Sequence, residues 1–342
     1  MSRIPKDLSV FKKDLSELME NDFPSGAENE IFHDMLFNIG KLREEKLDIL
    51  ELRLLNTAFA ELRYALRVFK PYRSIPKAAV FGSARLKKNH PDFKLALSFG
   101  KKLAKKGWMI ITGGASGIME AAMIGAGAKN SFGLNIMLPF EQQANETIRG
   151  NSKLIFFKYF FTRKLMFLKE SQSTVLFPGG FGTFDEGFES FTLVQTGKAR
   201  PRPLVLVDAP RSFYWRSLLS FLKNNMRKGG LISSFDLSLM RHTHDSAKAV
   251  EEVTGFYKNY DSSRFLRSQY LIRLRNPVSD EALKMMNKRF KDILSSGSFE
   301  RLDDLTMEDE QGGRPLYRIV FNFDRSNYAR LRQLIDYLNT LA

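Results

Sequence analysis

No cysteine occurs among the 342 residues, so disulfides, thiolate nucleophiles and thiolate zinc sites are all excluded. Histidine is nearly as scarce, with only His33, His90, His242 and His244. In the chain they spell no metal-binding pattern, and His242-x-His244 reads as a pair on a strand edge rather than on a metal. The opening residues, Met1 to Lys6, contain no apolar run, so a secretory leader is not expected and a cytoplasmic location is. Long hydrophobic runs are missing but for one. Trp108 to Ala128 is apolar apart from Thr112, Ser116 and Glu120. Its glycines and mid-span acid argue for a strand, a loop and a buried helix, not a membrane span.

Acids are outnumbered: 53 Lys and Arg against 38 Asp and Glu give a net charge of +15. The basic residues are spread along the chain in short clusters such as Lys87-Lys88 and Lys105-Lys106. They read as a solvated face that draws anionic substrates, and a dedicated nucleic-acid surface is not favoured.

The informative stretch is Pro178-Gly-Gly-Phe-Gly-Thr-Phe-Asp-Glu186. Ser173 to Phe177 is a short β-branched and apolar run closed by Pro178, as expected of a central parallel strand. Gly179, Gly180 and Gly182 permit positive φ and uncover backbone N–H groups, and Thr183 is placed to cap the helix that follows. Strand, glycine loop and helix N-terminus together make an anion site, most often for phosphate. The spacing fits neither the P-loop nor the dinucleotide fingerprint. Thr183-x-x-Glu186 has the form of a capping box. Against that structural role, a carboxylate beside a bound phosphate is repelled, so its retention suggests chemistry next to the phosphate.

Taken in order, residues 1–76 read as a helical extension and linker, with Leu50, Leu54, Ala58, Leu62, Ala65 and Phe69 at helical spacing and Pro71 to Pro76 as the break. Residues 77–260 alternate strand and helix, the pattern of a doubly wound α/β parallel sheet. Strands are expected at Ala78–Phe81, Trp108–Thr112, Phe132–Leu138, Ser173–Phe177, Pro203–Val207 and Leu237–Arg241. Ligands in such sheets sit beyond the carboxyl ends of the strands, where strand order reverses. Gly82-Ser83, Gly113-Gly114 and the loop at 178–183 all fall at that edge. Thr162-Arg163-Lys164 begins the preceding helix or lies early in it, with Thr162 as its cap in the first case. That puts Arg163 and Lys164 in a first turn, where the dipole disfavours cations by roughly 0.3–1 kcal/mol each and an anionic ligand would offset the cost. Residues 261–342 read as β-α-β-β-α, a small ferredoxin-like α+β unit with no catalytic constellation.

These residues carry a family resemblance. Pro178 to Glu186 fits the P-G-G-x-G-T-x-x-E signature of the Lonely Guy family, Rossmann-like phosphoribohydrolases often labelled lysine decarboxylases. Arg163-Lys164 resembles that family's arginine-lysine pair, and Gly113-Gly-Ala-Ser-Gly-Ile-Met-Glu120 resembles its G-G-G-P-G-I-M-E segment, with Ala115 and Ser116 departing from the usual Gly-Pro. Similarity runs from about Val80 to Val253 and includes Leu138 to Gln142. The resemblance implies hydrolysis of the N-glycosidic bond of a nucleoside 5′-monophosphate, AMP-like or a cytokinin riboside monophosphate, with no metal or other cofactor. It further implies a cytoplasmic homodimer or larger homo-oligomer. It assigns Arg163 and Glu186 as catalytic and Gly179, Gly180, Phe181, Gly182 and Thr183 to the substrate phosphate. Ser83, Gly113, Gly114, Glu120 and Lys164 are further nucleotide-binding candidates. No lysine stands in a recognisable pyridoxal phosphate context. Two other classes stay open: a non-catalytic nucleotide sensor, and a nucleic-acid protein of the DNA-processing kind that shares this sheet.

Overall fold

The computed structural model describes residues 27–138, 143–302 and 316–342. The first 26 residues, and Pro139 to Gln142 of the segment resembling the family, lie outside these. The described residues fall into two compact units, one ending at Phe59 and the other running from Ala60 to Ala342.

The first unit holds α1 (Ala27–Glu44) and the first half of α2 (Ile49–Phe69). Asp48 starts α2: its Oδ1 accepts from the amides of Leu50 and Glu51, while Glu51 Oε2 accepts from the Asp48 amide. This reciprocal exchange satisfies donors that a helix start leaves unpaired. The apolar spacing along α2 divides in two, because Leu50 and Leu54 are exposed whereas Ala65 and Phe69 are buried.

The second unit opens with β1 (Lys77–Phe81), α3 (Pro91–Lys105), β2 (Met109–Thr112), α4 (Ile118–Ala126) and β3 (Ser131–Ile136). It continues with β4 (Leu154–Phe157), α5 (Phe160–Glu170), β5 (Ser173–Leu176), α6 (Phe181–Gln195), β6 (Leu204–Val207), α7 (Tyr214–Phe221), β7 (Met240–Thr243) and α8 (Ser246–Gly255). The seven strands form one sheet in the order β4-β3-β2-β1-β5-β6-β7, every pair parallel. The doubly wound, Rossmann-like reading therefore holds. Its central strands are buried from end to end, as helices on both faces require. Phe93, Phe99 and Leu103 of α3 fill one face, and Phe69, Phe167 and Trp215 fill the other.

Two details differ from the sequence reading. Leu154–Phe157 is an edge strand missing from the expected set, with Phe157 buried and Phe156 exposed. Expected at 237–241, β7 begins instead at Met240, since Asp236–Leu239 forms a 3₁₀ turn.

The rest of this unit is β8 (Tyr260–Leu266), β9 (Gln269–Leu274), α9 (Asp280–Arg289), β10 (Leu294–Arg301), β11 (Tyr317–Phe323) and α10 (Tyr328–Asn339). The strands make an antiparallel sheet in the order β10-β11-β9-β8. The β-α-β-β-α run expected from the sequence is β9 to α10. The position beside β9, which a last strand fills in the ferredoxin-like order, is taken by β8 as a hairpin arriving from the other end. That hairpin escaped the sequence reading because Asp261, Ser262 and Ser263 interrupt the alternation of apolar residues.

The α+β unit is packed onto the parallel-sheet part. Ala329 of α10 shares a small core with Val194 at the end of α6, Leu204 and Leu239, and Arg241 pairs with Asp336 at 2.8 Å.

Candidate active site

Strand order reverses between β1 and β5, and a cleft of about 1070 Å³ opens beyond their carboxyl ends. This is where an open parallel sheet leaves room for a ligand. Its walls include Ser83, Gly113, Arg163, Glu186, and Gly179 through Thr183. Nine of the twelve candidate residues thus meet in one cavity.

Three candidates do not line it. Gly114 is held in the left-handed region at φ 72°. Glu120 lies in α4, 3.9 Å from Lys88. Lys164 is engaged by Asp185 at 2.7 Å and Glu189 at 3.0 Å.

The floor is three strand-end loops tied to one another. Ser83 donates its amide to Pro178 O at 2.9 Å and accepts at its own carbonyl from the Ile118 amide at 2.9 Å. Ser116, one of the two departures from the family pattern, donates its hydroxyl to Ala84 O at 2.8 Å. Asn145 donates to the carbonyls of both Gly114 and Ala115 at 3.0 Å. The changed loop is therefore stitched down by side chains.

The glycine loop works differently from what its composition suggested. Neither Gly179, Gly180 nor Gly182 takes a positive φ. Gly179 is required by close approach, since a Cβ there would stand 2.1 Å from Thr183 Oγ1 and 2.9 Å from Ser83 N. At Gly180 and Gly182 a Cβ would meet nothing within 4 Å. Tyr214 clamps the loop by donating its hydroxyl to Gly179 O. Helix α6 begins at Phe181 with Gly180 as its N-cap and no side-chain cap. Thr183 thus lies inside the first turn, with its own amide bonded back to Gly180 O, and the expected capping box does not form. The amides of Phe181 and Gly182 are first-turn donors with no intrahelical acceptor, at the positive end of the helix dipole. The Phe181 ring is 93% exposed at the rim.

Released from capping, Glu186 turns to Arg163. Oε1 accepts from Arg163 Nη2 at 3.0 Å, with the side chains only 6% and 12% exposed. Burial pushes the Glu186 carboxyl up to about 7, while the neighbouring charges of Arg163 and Lys164 act against that shift. The Arg163 guanidinium sits 5.0 Å from the centre of the Phe160 ring and 5.8 Å from that of Phe167, and its Nε has no partner. The buried Nε–H thus remains for an acceptor brought by a ligand.

Helix α5 starts at Phe160 with Tyr159 as cap, so Thr162 lies early in the helix and is not its cap: it is buried in the first turn and donates to Glu61 Oε2 at 2.6 Å. With the start at Phe160, Arg163 closes the first turn and Lys164 lies just past it, and α6 supplies their anions, Glu186 to one and Asp185 with Glu189 to the other. Burial works against the charge on Lys164, yet the hydrogen bonds to Asp185 and Glu189 outweigh it and raise its pKa.

Other lining residues gave little sequence signal: Arg85, Asp92, Met119, Phe160, Arg211 and Tyr214. They come from five segments whose convergence only the sheet order reveals.

A family model described as "Possible lysine decarboxylase" matches residues 117–253. A probable cytokinin riboside 5′-monophosphate phosphoribohydrolase, LOG4, of Oryza sativa subsp. japonica is 29% identical over 166 residues, 46% of this chain and 67% of the relative. Over this stretch the parallel-sheet domain is similar to the Lonely Guy family. Among solved structures, the molybdenum cofactor binding protein of Rippkaea orientalis matches at 18% identity and a TM-score of 0.38, over 53% of this chain and 96% of its own. The Moco carrier protein of Chlamydomonas reinhardtii matches at 22% identity and a TM-score of 0.37, over the same shares. At these values neither likeness bears on a ligand. Among the described residues no lysine lines this cleft to form a Schiff base, so the decarboxylase description finds no counterpart there. Among the described residues, no helix is long and apolar enough to cross a membrane.

Proposed function

We propose that the protein hydrolyses the N-glycosidic bond of a nucleoside 5′-monophosphate, giving free base and ribose 5-phosphate. The observation that carries this reading is the buried Glu186–Arg163 pair beside an uncapped helix N-terminus in the switch-point cleft. The 5′-phosphate takes the amides of Phe181 and Gly182 and the hydroxyl of Thr183. Its ribose then lies toward Glu186. As the C1′–N bond lengthens, positive charge develops on the ring, and the Glu186 carboxylate stabilises it at close range in a site of low dielectric. A water adds its oxygen to C1′ and loses a proton to Glu186, the bonding pair leaves with the base, and Glu186 passes that proton through solvent to the released nitrogen, so water's two hydrogens end on the C1′ hydroxyl and the base. Arg163 holds Glu186 in place and turns its free Nε–H toward the ligand. The relative's printed activity and the likeness to its family support the same chemistry.

The test is incubation of the purified chain with a panel of nucleoside 5′-monophosphates and the matching nucleosides, following free base by chromatography. Base release from at least one monophosphate, with its nucleoside a much poorer substrate, is expected, because remote phosphate binding lowers the barrier at C1′. Equal kcat/KM for nucleoside and monophosphate, or no release from any member, overturns the reading.

A further inference from the structure

Asp208 stands immediately after β6, and β6 pairs in register with β7, Leu206 opposite His242 and Val207 opposite Thr243. The next step of that register sets Asp208 opposite His244. His242 and His244, two residues apart, point to the same side of the strand. Both converge on one oxygen: Asp208 Oδ1 is 2.8 Å from His242 Nε2 and 2.8 Å from His244 Nδ1. The rings meet edge to face at 78°. Asp208 is fully buried, and among the described residues its ion-pair partners are these two imidazoles.

We propose that Asp208, His242 and His244 form a binding site for one divalent transition-metal ion of the zinc class. Two imidazole nitrogens and a carboxylate oxygen are the donor set that zinc and its neighbours favour over magnesium or calcium. The three donor atoms lie within 4.8 Å of one another. Donors about 2.1 Å from a metal at tetrahedral angles are about 3.4 Å apart, so both imidazoles need withdraw only a few tenths of an ångström from their 2.8 Å separations to admit an ion. A buried carboxylate also needs a neutralising cation, and a metal ion supplies it while both imidazoles stay neutral. Half-exposed His244 leaves a way in from solvent and a position for water.

The ion's place gives it a structural task. It would join the end of β6 to the edge strand β7, directly before Ala209, Pro210 and Arg211, which line the cleft. That rim is already pinned from the other side, where Asp92 Oδ1 accepts from the Ala209 amide at 2.6 Å. Arg211 within it holds a left-handed φ of 73°. A metal would fix a strained segment at the mouth of the cleft.

The experiment is to strip the full-length protein with a chelator, dialyse it against zinc chloride, and measure bound metal by mass spectrometry and the melting temperature by circular dichroism. Cobalt(II) titration adds a visible absorption that reports the nitrogen and oxygen donors directly. About one zinc per chain is expected, with a melting temperature that rises with free zinc. His244→Gln, at the half-exposed position, should lower zinc affinity about 10- to 100-fold. His242→Gln is the second variant, judged only if its circular dichroism matches the parent. Substoichiometric zinc in the parent, or unchanged zinc in both folded histidine variants, overturns the proposal. A fall in melting temperature in the variants without zinc binding by the parent also overturns it, since the cluster is then a hydrogen-bonded brace. None of these readouts depends on turnover.

Discussion

Two buried carboxylates stand at the same edge of the parallel sheet, and their counter-ions differ in kind. Glu186 faces Arg163, a cation that cannot lose its proton or ligate a metal, whereas Asp208 faces two imidazoles that can do both. The difference separates two uses of a buried acid. A fixed guanidinium keeps Glu186 available as an anion despite the burial that opposes it, which suits a group required to face positive charge developing on a sugar. Imidazole partners can give up a proton and turn to an ion, which suits Asp208 to the metal proposed above.

The largest effect should follow from removing the charge on Glu186 and leaving its shape. Glu186→Gln is expected to lower kcat for monophosphate hydrolysis by at least about 10²- to 10³-fold, the usual loss for a preorganised electrostatic group in a dry site. Nucleotide affinity, read by calorimetry, should change little. Near-normal turnover would make the two carboxylates equivalent structural acids and remove the contrast. Arg163→Ala comes next, with about a 10²-fold loss, because it leaves Glu186 buried without its cation and so favours the protonated form. Arg163→Lys, which keeps a charge but not the planar fork, should recover part of the loss. If alanine and lysine behave alike, charge is not what the pair provides.

How much of this could be read beforehand depended on how far apart in the chain the cooperating residues lie. The strand, loop and helix around Pro178 to Glu186 are contiguous, so local rules gave the parallel sheet and set the glycine loop at the carboxyl ends of its strands. Those rules went wrong where a distant partner decides the outcome. Thr183-x-x-Glu186 satisfies the spacing of a capping box, but Arg163, 23 residues away, takes the carboxylate instead. Thr162 looks like a cap, but Glu61, 101 residues away, takes its hydroxyl. The Asp208 cluster was invisible for the same reason: His242-x-His244 is a weak pattern until the β6–β7 register sets Asp208 against it.

Acidity provides a subtler test of the same contrast. With Glu186 pushed up to about 7 and needed as the anion, kcat/KM should rise about tenfold per pH unit below that value and level off above it. Stability should move in the opposite sense. The folded-state value lies above the ordinary 4.5, so between the two the native protein retains a proton that the unfolded chain has lost. The contribution is fully present below 4.5 and lost as pH rises through about 7, a decline of about 3 kcal/mol in all. Urea unfolding of the parent and of Glu186→Gln at pH 5 and pH 8 should show this loss in the parent only. Parallel curves would place the elevated pKa elsewhere.

The smallest effect concerns a single hydrogen atom on the other side of the ligand. Gly182 lies in the first turn of α6, where alanine is the better helix former by up to about 1 kcal/mol, and the structure gives no steric reason for glycine, since a Cβ there meets nothing within 4 Å. Gly179 is the opposite case: its Cβ would run into Thr183 Oγ1, so alanine there should destabilise by about 1–3 kcal/mol through overpacking. If the space beside Gly182 belongs to a phosphate, Gly182→Ala should melt slightly higher than the parent and yet raise KM for the monophosphate severalfold, with the small activity on the free nucleoside unchanged. That split distinguishes a ligand's space from an idle one, because a mere helix-propensity effect moves melting and leaves both substrates alone. A higher melting temperature with unaltered KM would show that phosphate is held elsewhere in the cleft and would move the binding role away from the α6 amides.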